Sequence, residues 1–138
     1  MNLAASSSSQ GIAGRLATVT SQAENAFIAN NLLPNTGIYD TYWLGGFYNE
    51  SNGQWKWITG EAWSYANWDS GEPNNLTSEH CVEMYGAVKG GVWNNLSWDN
   101  SAVSEGYIVE YAVPEPTVAG LLALGTLAAV HRRAQKSR

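Results

Sequence analysis

Gly71-Glu-Pro-Asn-Asn75, Glu79-His-Cys-Val-Glu83 and Trp93-Asn-Asn95 are three short blocks that put oxygen-bearing side chains beside a rigid or aromatic neighbour. Glu72 and Asn74 flank Pro73, two residues apart, so both aim at one point if the chain turns there. They lie in Ser64–Ser78, which includes Tyr65-Ala-Asn-Trp-Asp-Ser-Gly-Glu-Pro-Asn-Asn75 and has no apolar period. A loop of that length in a compact domain is functional or disordered. Tyr65 and Trp68 are apolar anchors that pin it to a body, which favours function.

Outward from this loop, Tyr42–Phe47, Gln54–Ile58, His80–Met84, Gly91–Trp93 and Tyr107–Tyr111 read as strands. Ser21-Gln-Ala-Glu24 is a capping box that opens a helix, with Ala23, Phe27, Ile28 and Leu32 on one face. Pro34-Asn35-Thr36-Gly37 ends it. The Ala/Ser-rich start reads as a weak helix ending at Gly11 or Gly14, and it has neither the basic nor the apolar region of a signal peptide.

The 138 residues suit one domain plus a tail, and 44% hydrophobic residues suffice for a core. Only 14% are charged, while seven Trp and seven Tyr are present. Net charge is −5, unevenly spread: residues 1–116 carry all twelve acids against Arg15, Lys56 and Lys89, a balance of −9, and residues 117–138 carry +4. So acidic a body does not bind nucleic acid by neutralising phosphates, but it attracts a hard cation such as calcium. A single cysteine, Cys81, excludes an internal disulfide and a cysteine-based zinc cluster. His80 and His131 are far apart, and His80 and Cys81, as strand neighbours, point to opposite faces, so no nucleophilic catalytic set is supported.

The tail starts at Val113-Pro-Glu-Pro116, an extended break. An apolar run over 117–130 follows, then the basic end with Arg132 and Arg133. As a helix the run spans roughly 21 Å, short of a ~30 Å hydrocarbon core, yet its layout is that of a membrane-directed segment.

Taken in order, Gly14-Arg-Leu-Ala-Thr-Val-Thr-Ser-Gln-Ala-Glu-Asn-Ala-Phe-Ile28, Trp43-Leu-Gly-Gly46, Trp55-Lys-Trp57-Ile-Thr-Gly60, Asn67-Trp68, the three blocks above and Tyr107-Ile-Val-Glu-Tyr111 resemble the C-type lectin-like domain. The resemblance covers about residues 1–112 and implies an α+β fold: two helices, small antiparallel sheets and a long irregular ligand-binding loop. Residues 113–138 resemble the PEP-CTERM sorting signal, with Pro114, Glu115, Pro116, a short apolar helix, Arg132 and Arg133. That implies an exosortase-type membrane processing enzyme as partner, transient insertion of the tail, and delivery to the cell surface or extracellular matrix of a Gram-negative bacterium.

By the same resemblance Glu72, Asn74, Glu79, Asn94 and Asn95 hold one Ca2+, with a cis bond before Pro73. Glu72, Asn74, Glu79 and Asn94 also bond vicinal sugar hydroxyls. Calcium takes six to eight oxygens, and carboxylates with amide carbonyls suit it. The Glu-Pro-Asn form implies mannose-, glucose- or fucose-type sugars, and nothing in the family implies an enzyme. The partner is then a glycan or extracellular polysaccharide; the rival reading is a calcium-independent protein-binding or structural surface module.

Four departures stand out. Asn95 replaces the family's usual aspartate, removing a formal charge and weakening calcium toward or beyond about 10⁻⁴–10⁻³ M. Acids for an accessory calcium site around Tyr48-Asn-Glu-Ser-Asn52, Asn75 and His80 are mostly missing. The family's disulfides are absent, and Trp98 is expected to pack over the free Cys81 thiol. Trp68 and Trp98 are candidates for sugar stacking, though Trp43, Trp55, Trp57, Trp63, Trp68 and Trp93 read first as core or loop anchors. The family's first strand has no counterpart, so Tyr107–Tyr111 is expected to present an open edge and the chain to start internally.

Overall fold

Ser21 caps the helix as the capping box requires. In the computed structural model, which describes residues 8–9, 11–33, 37–99, 104, 106–112 and 132–136, α1 spans Gln22–Asn31 and Ser21 Oγ accepts the Glu24 amide at 3.2 Å. The Glu24 carboxylate reaches back to the Thr20 amide at 2.7 Å. These bonds satisfy donors that a helix start leaves open.

The strands are β1 Ser8–Ser9, β2 Ile12–Leu16, β3 Thr41–Asn49, β4 Gln54–Trp57, β5 Cys81–Tyr85, β6 Trp93–Leu96, β7 Gly106–Tyr111 and β8 Arg132–Lys136. They form a mixed sheet in the order β1-β2-β7-β3-β5-β6, with β4 on β3 and β8 on β7. All pairs are antiparallel except β3 with β7. The α+β, C-type lectin-like architecture expected from the sequence is the one observed.

Several expectations change. Instead of a weak helix ending at Gly11 or Gly14, the described residues there form the paired strands β1 and β2, with Gly11 between them at φ +79°. Ladder pairing of β2 with β7 overrides a small propensity difference, and Arg15 Nε adds a 2.7 Å bond to the buried Glu110 opposite it. Among the described residues there is therefore one α-helix, plus a single helical turn at Ala87–Lys89, rather than two helices. Nor is β7 an open edge. Val109 pairs with both Leu16 and Arg133, so β2 and β8 lie on its opposite sides. Unpaired strand groups seek a partner, and the basic end of the chain supplies one. The apolar run 117–130 lies outside the described residues, among which no helix is long and apolar enough to cross a membrane.

The buried helix face is Asn25, Ile28 and Ala29, while Phe27 stands 48% exposed and Ala23 is exposed. A buried amide draws the face round. Asn25 donates to Gly91 O at 3.1 Å and accepts from Trp93 Nε1 at 2.7 Å. A Cβ on Gly91 would meet Ala29 Cβ at 2.7 Å, and its φ is +69°, so a glycine is required where the helix packs on this turn. The turn also delays β6, which begins at Trp93 instead of ending there. The core joins Val19, Ile28, Tyr42, Leu44, Trp57, Val82, Met84, Trp93 and Ile108 around it.

Candidate functional site

Strand β6 organises the long loop by alternation. Trp93 and Asn95 are buried, while Asn94 between them is half-buried, the period of a strand with one covered face. Trp93 holds the first part of the loop: its N–H donates to Asn67 O at 2.7 Å and its carbonyl accepts the Asp69 N–H at 2.8 Å. Its indole meets Trp57, Trp63, Tyr65 and Trp68 edge-on, with ring centroids 5.6–5.9 Å apart. Trp63 stacks on Trp57 at 4.5 Å and on Trp55 at 5.9 Å. The expected anchoring by Tyr65 and Trp68 is thus present. Trp68 belongs to this cluster, and a Lys89–Asp69 ion pair closes its end.

Asn95 holds the second part. The Glu72–Pro73 bond is cis, and Asn74 Nδ2 donates to Glu72 Oε1 at 2.8 Å. Asn95 Oδ1 accepts the Asn74 N–H at 2.8 Å; Asn95 Nδ2 donates to Asn74 O at 2.5 Å and to Glu79 O at 2.8 Å. The tip closes on Asn75 O, which accepts the amides of Ser78 and Glu79 at 2.8 and 3.0 Å. Asn94 turns the other way, donating to Glu83 Oε1 at 2.8 Å across the β5–β6 ladder.

The charges at this end are crowded and short of counterions. Burial pushes the Glu72 carboxyl above the usual range; Asn74 opposes that shift, while Glu79 and Asp69 add to it. Glu83 is raised the same way, first by burial and further by Glu79 and Glu72, against the bond from Asn94. Two buried oxygens here have no hydrogen-bond partner: Asn74 Oδ1 and Glu83 Oε2. A carboxylate held against its neighbours' charge, beside an unpaired amide oxygen, is a donor set that suits a hard cation. Among the described residues no group of three or more His, Cys, Asp or Glu is arranged to hold a metal ion; the set at hand mixes carboxylates with amides.

Of the residues singled out in the sequence, Glu72, Asn74 and Asn95 are directly bonded, and Glu79 joins them through its backbone and its charge. Asn94 sits on the adjacent strand position, facing Glu83. The sequence reading gave Glu83 no role, although its place two residues beyond Cys81 puts it on the same strand face as the cysteine. Trp98 is 71% exposed, so it forms no lid over Cys81. Cys81 is buried, its backbone paired with Phe47 of β3 on one side and Leu96 of β6 on the other, and burial raises the thiol pKa. Pro114, Glu115 and Pro116 lie outside the described residues, while Arg132 and Arg133 open β8.

The chain is similar to known proteins. The chain is 31% identical over 88 residues to a perlucin-like protein of Mytilus galloprovincialis, covering 63% of this chain and 56% of that one. It is 32% identical over 83 residues to the galactose-specific lectin nattectin of Thalassophryne nattereri, covering 59% and 51%. It therefore spans about half the length of these curated relatives. Among solved structures, the C-type lectin CEL-I of Cucumaria echinata superposes with a TM-score of 0.57 at 26% identity, over 68% of this chain and 69% of that one. The Lectin C-type domain profile matches residues 5–105, and with the loop, the cis proline and the β6 clasp in place, this chain belongs to the C-type lectin domain family.

Proposed function

We propose that this domain binds carbohydrate outside the cell through the loop that ends on β6, with one weakly held Ca2+. Glu72, Asn74 and Glu79 are its ligands, Asn94 joins them on turning from Glu83, and Asn95 supports them from below through the loop backbone. The observation that carries this reading is the buried, unpartnered Asn74 Oδ1 next to a Glu72 carboxylate whose charge is disfavoured first by burial and then by Glu79. A bound calcium supplies a point of positive charge that accepts two vicinal sugar hydroxyls. Glu72 and Glu79 accept the hydroxyl protons, Asn74 and Asn94 donate to the hydroxyl oxygens, and the tryptophan stack keeps the loop from moving under the sugar. The Glu-Pro-Asn form favours mannose- or glucose-type sugars; a galactose-specific relative supplies the competing class. A second reading, a calcium-independent protein-binding or structural module, draws support from the use of Asn95 on the loop backbone.

A thermal melt separates them. Calcium at a hundred times its dissociation constant stabilises by about 2.7 kcal/mol, a shift of several degrees. We expect that shift at millimolar calcium, its loss in Glu72→Gln, and mannoside binding abolished by chelator. No shift by ~10 mM, well beyond the weak-site range, defeats the calcium reading, and binding to galactosides alone defeats the sugar class.

We further propose that residues 1–112 are the lectin domain and 113–138 a sorting tail. Pro114, Glu115 and Pro116 precede the apolar run, and Arg132 and Arg133 follow it, for processing by an exosortase-type enzyme during export to the surface or matrix of a Gram-negative cell. Surface delivery that survives replacement of both arginines and of Pro114–Pro116 would defeat this.

A further inference from the structure

Asn95 is fully buried, and its amide meets three backbone groups with matched polarity. Its two N–H donors point at two carbonyls, Asn74 O and Glu79 O, and its oxygen points at an N–H, that of Asn74. Those residues start and finish the loop tip, which spans only 75–78 and closes on Asn75 O. One side chain therefore ties together both limbs of the segment that carries Glu72, Asn74 and Glu79.

A carboxylate in this place has no donor. It would set negative oxygens against two carbonyl oxygens in a buried position, an unfavourable contact. The limbs would then separate unless a cation came between them. An amide removes that need.

We infer that Asn95 is a positioning residue that holds the ligand loop in its binding shape with no cation present, so that in this chain the fold of the loop and the occupancy of its calcium site are uncoupled. This rests on the same site as the proposed function and concerns its regulation. Sugar binding responds to calcium through the ligands alone, never through folding of the loop. The charge at position 95 is the switch between the two behaviours.

The test is amide hydrogen exchange at Asn74, with limited proteolysis across 74–79, on the full chain in chelator and in millimolar calcium. The wild-type Asn74 amide is expected to be equally protected in both. In Asn95→Asp, exchange at Asn74 should quicken by about fivefold in chelator, the loss of roughly one net hydrogen bond, and cleavage within the tip should appear. Protection regained by that variant in calcium identifies position 95 as the switch, because a merely damaged loop gains nothing from the ion.

A wild-type loop that opens in chelator overturns the inference, as does an Asn95→Asp loop that stays closed without calcium. If Asn95→Asp fails to fold, the wild-type comparison decides by itself. A wild-type loop closed in chelator together with no calcium binding at all leaves the clasp standing and sinks only the calcium reading.

Discussion

The two parts of the long loop are held by opposite kinds of force. From Trp63 to Asp69 the chain is fastened by rings: Trp63, Tyr65 and Trp68 pack against Trp55, Trp57 and Trp93. From Glu72 to Glu79 it is fastened by amides, chiefly Asn95, with Asn74 and Glu72 bonded to each other. The aromatic part tolerates error in position, because burial is non-directional. The polar part does not, because a buried donor or acceptor without its partner costs about 1–3 kcal/mol. The proposed ligands lie where the tolerance is lowest.

That contrast can be broken. Trp93→Ala should have the largest effect, because the residue is fully buried and serves both the core and the loop. Truncating a buried Trp costs about 3–5 kcal/mol. Denaturant unfolding should register that loss for the whole domain; a loss confined to loop protection would show that the rings are not part of the core.

Trp63→Ala sharpens the division. Trp63 is only partly buried, so a cost of about 2–3 kcal/mol is expected, below the full core range. Amides near Asp69 should then exchange faster while the Asn74 amide, held by Asn95, stays protected. Equal loosening at both places would mean that the two parts form one unit.

The smallest effect belongs to charge. Burial raises the Glu83 carboxyl above its usual value, so the folded protein takes up that proton more readily than the unfolded chain. The stability from this group is full below the ordinary carboxylate pKa and is lost as pH rises through the raised folded value. Glu83→Gln keeps an acceptor for Asn94 and removes the charge. In chelator it should raise the melting temperature at neutral pH by a few degrees and flatten the fall in stability between acid and neutral pH. Glu72 shifts in the same direction and leaves some slope. A variant as pH-sensitive as its parent would show that Glu83 does not carry the strain.

Much of this was legible in the chain. The capping box at Ser21 and Glu24 is a local device and forms as written. The strands around Tyr42, Trp55 and Ile108 follow their apolar, β-branched and aromatic content. Glu72, Asn74 and Asn95 are joined by hydrogen bonds in one place. What misled was whatever depended on a distant partner. Phe27 is as apolar as Ile28, but Asn25 turns inward because Trp93 and Gly91 offer it two bonds. The N-terminal stretch is helix-tolerant, but β7 stands ready to pair with it.

By itself, then, the sequence determined the family, the helix start, the aromatic supply and the acid-and-amide composition of the loop, since these are properties of residue types at fixed spacing. Tertiary structure alone decided that Asn95 bonds loop backbone, that Glu83 is buried against Asn94 and that β8 covers the edge of β7. Hydrogen bonds are short and directional, so a side chain's role depends on which groups the fold carries to within about 3 Å of it, and spacing along the chain does not encode that.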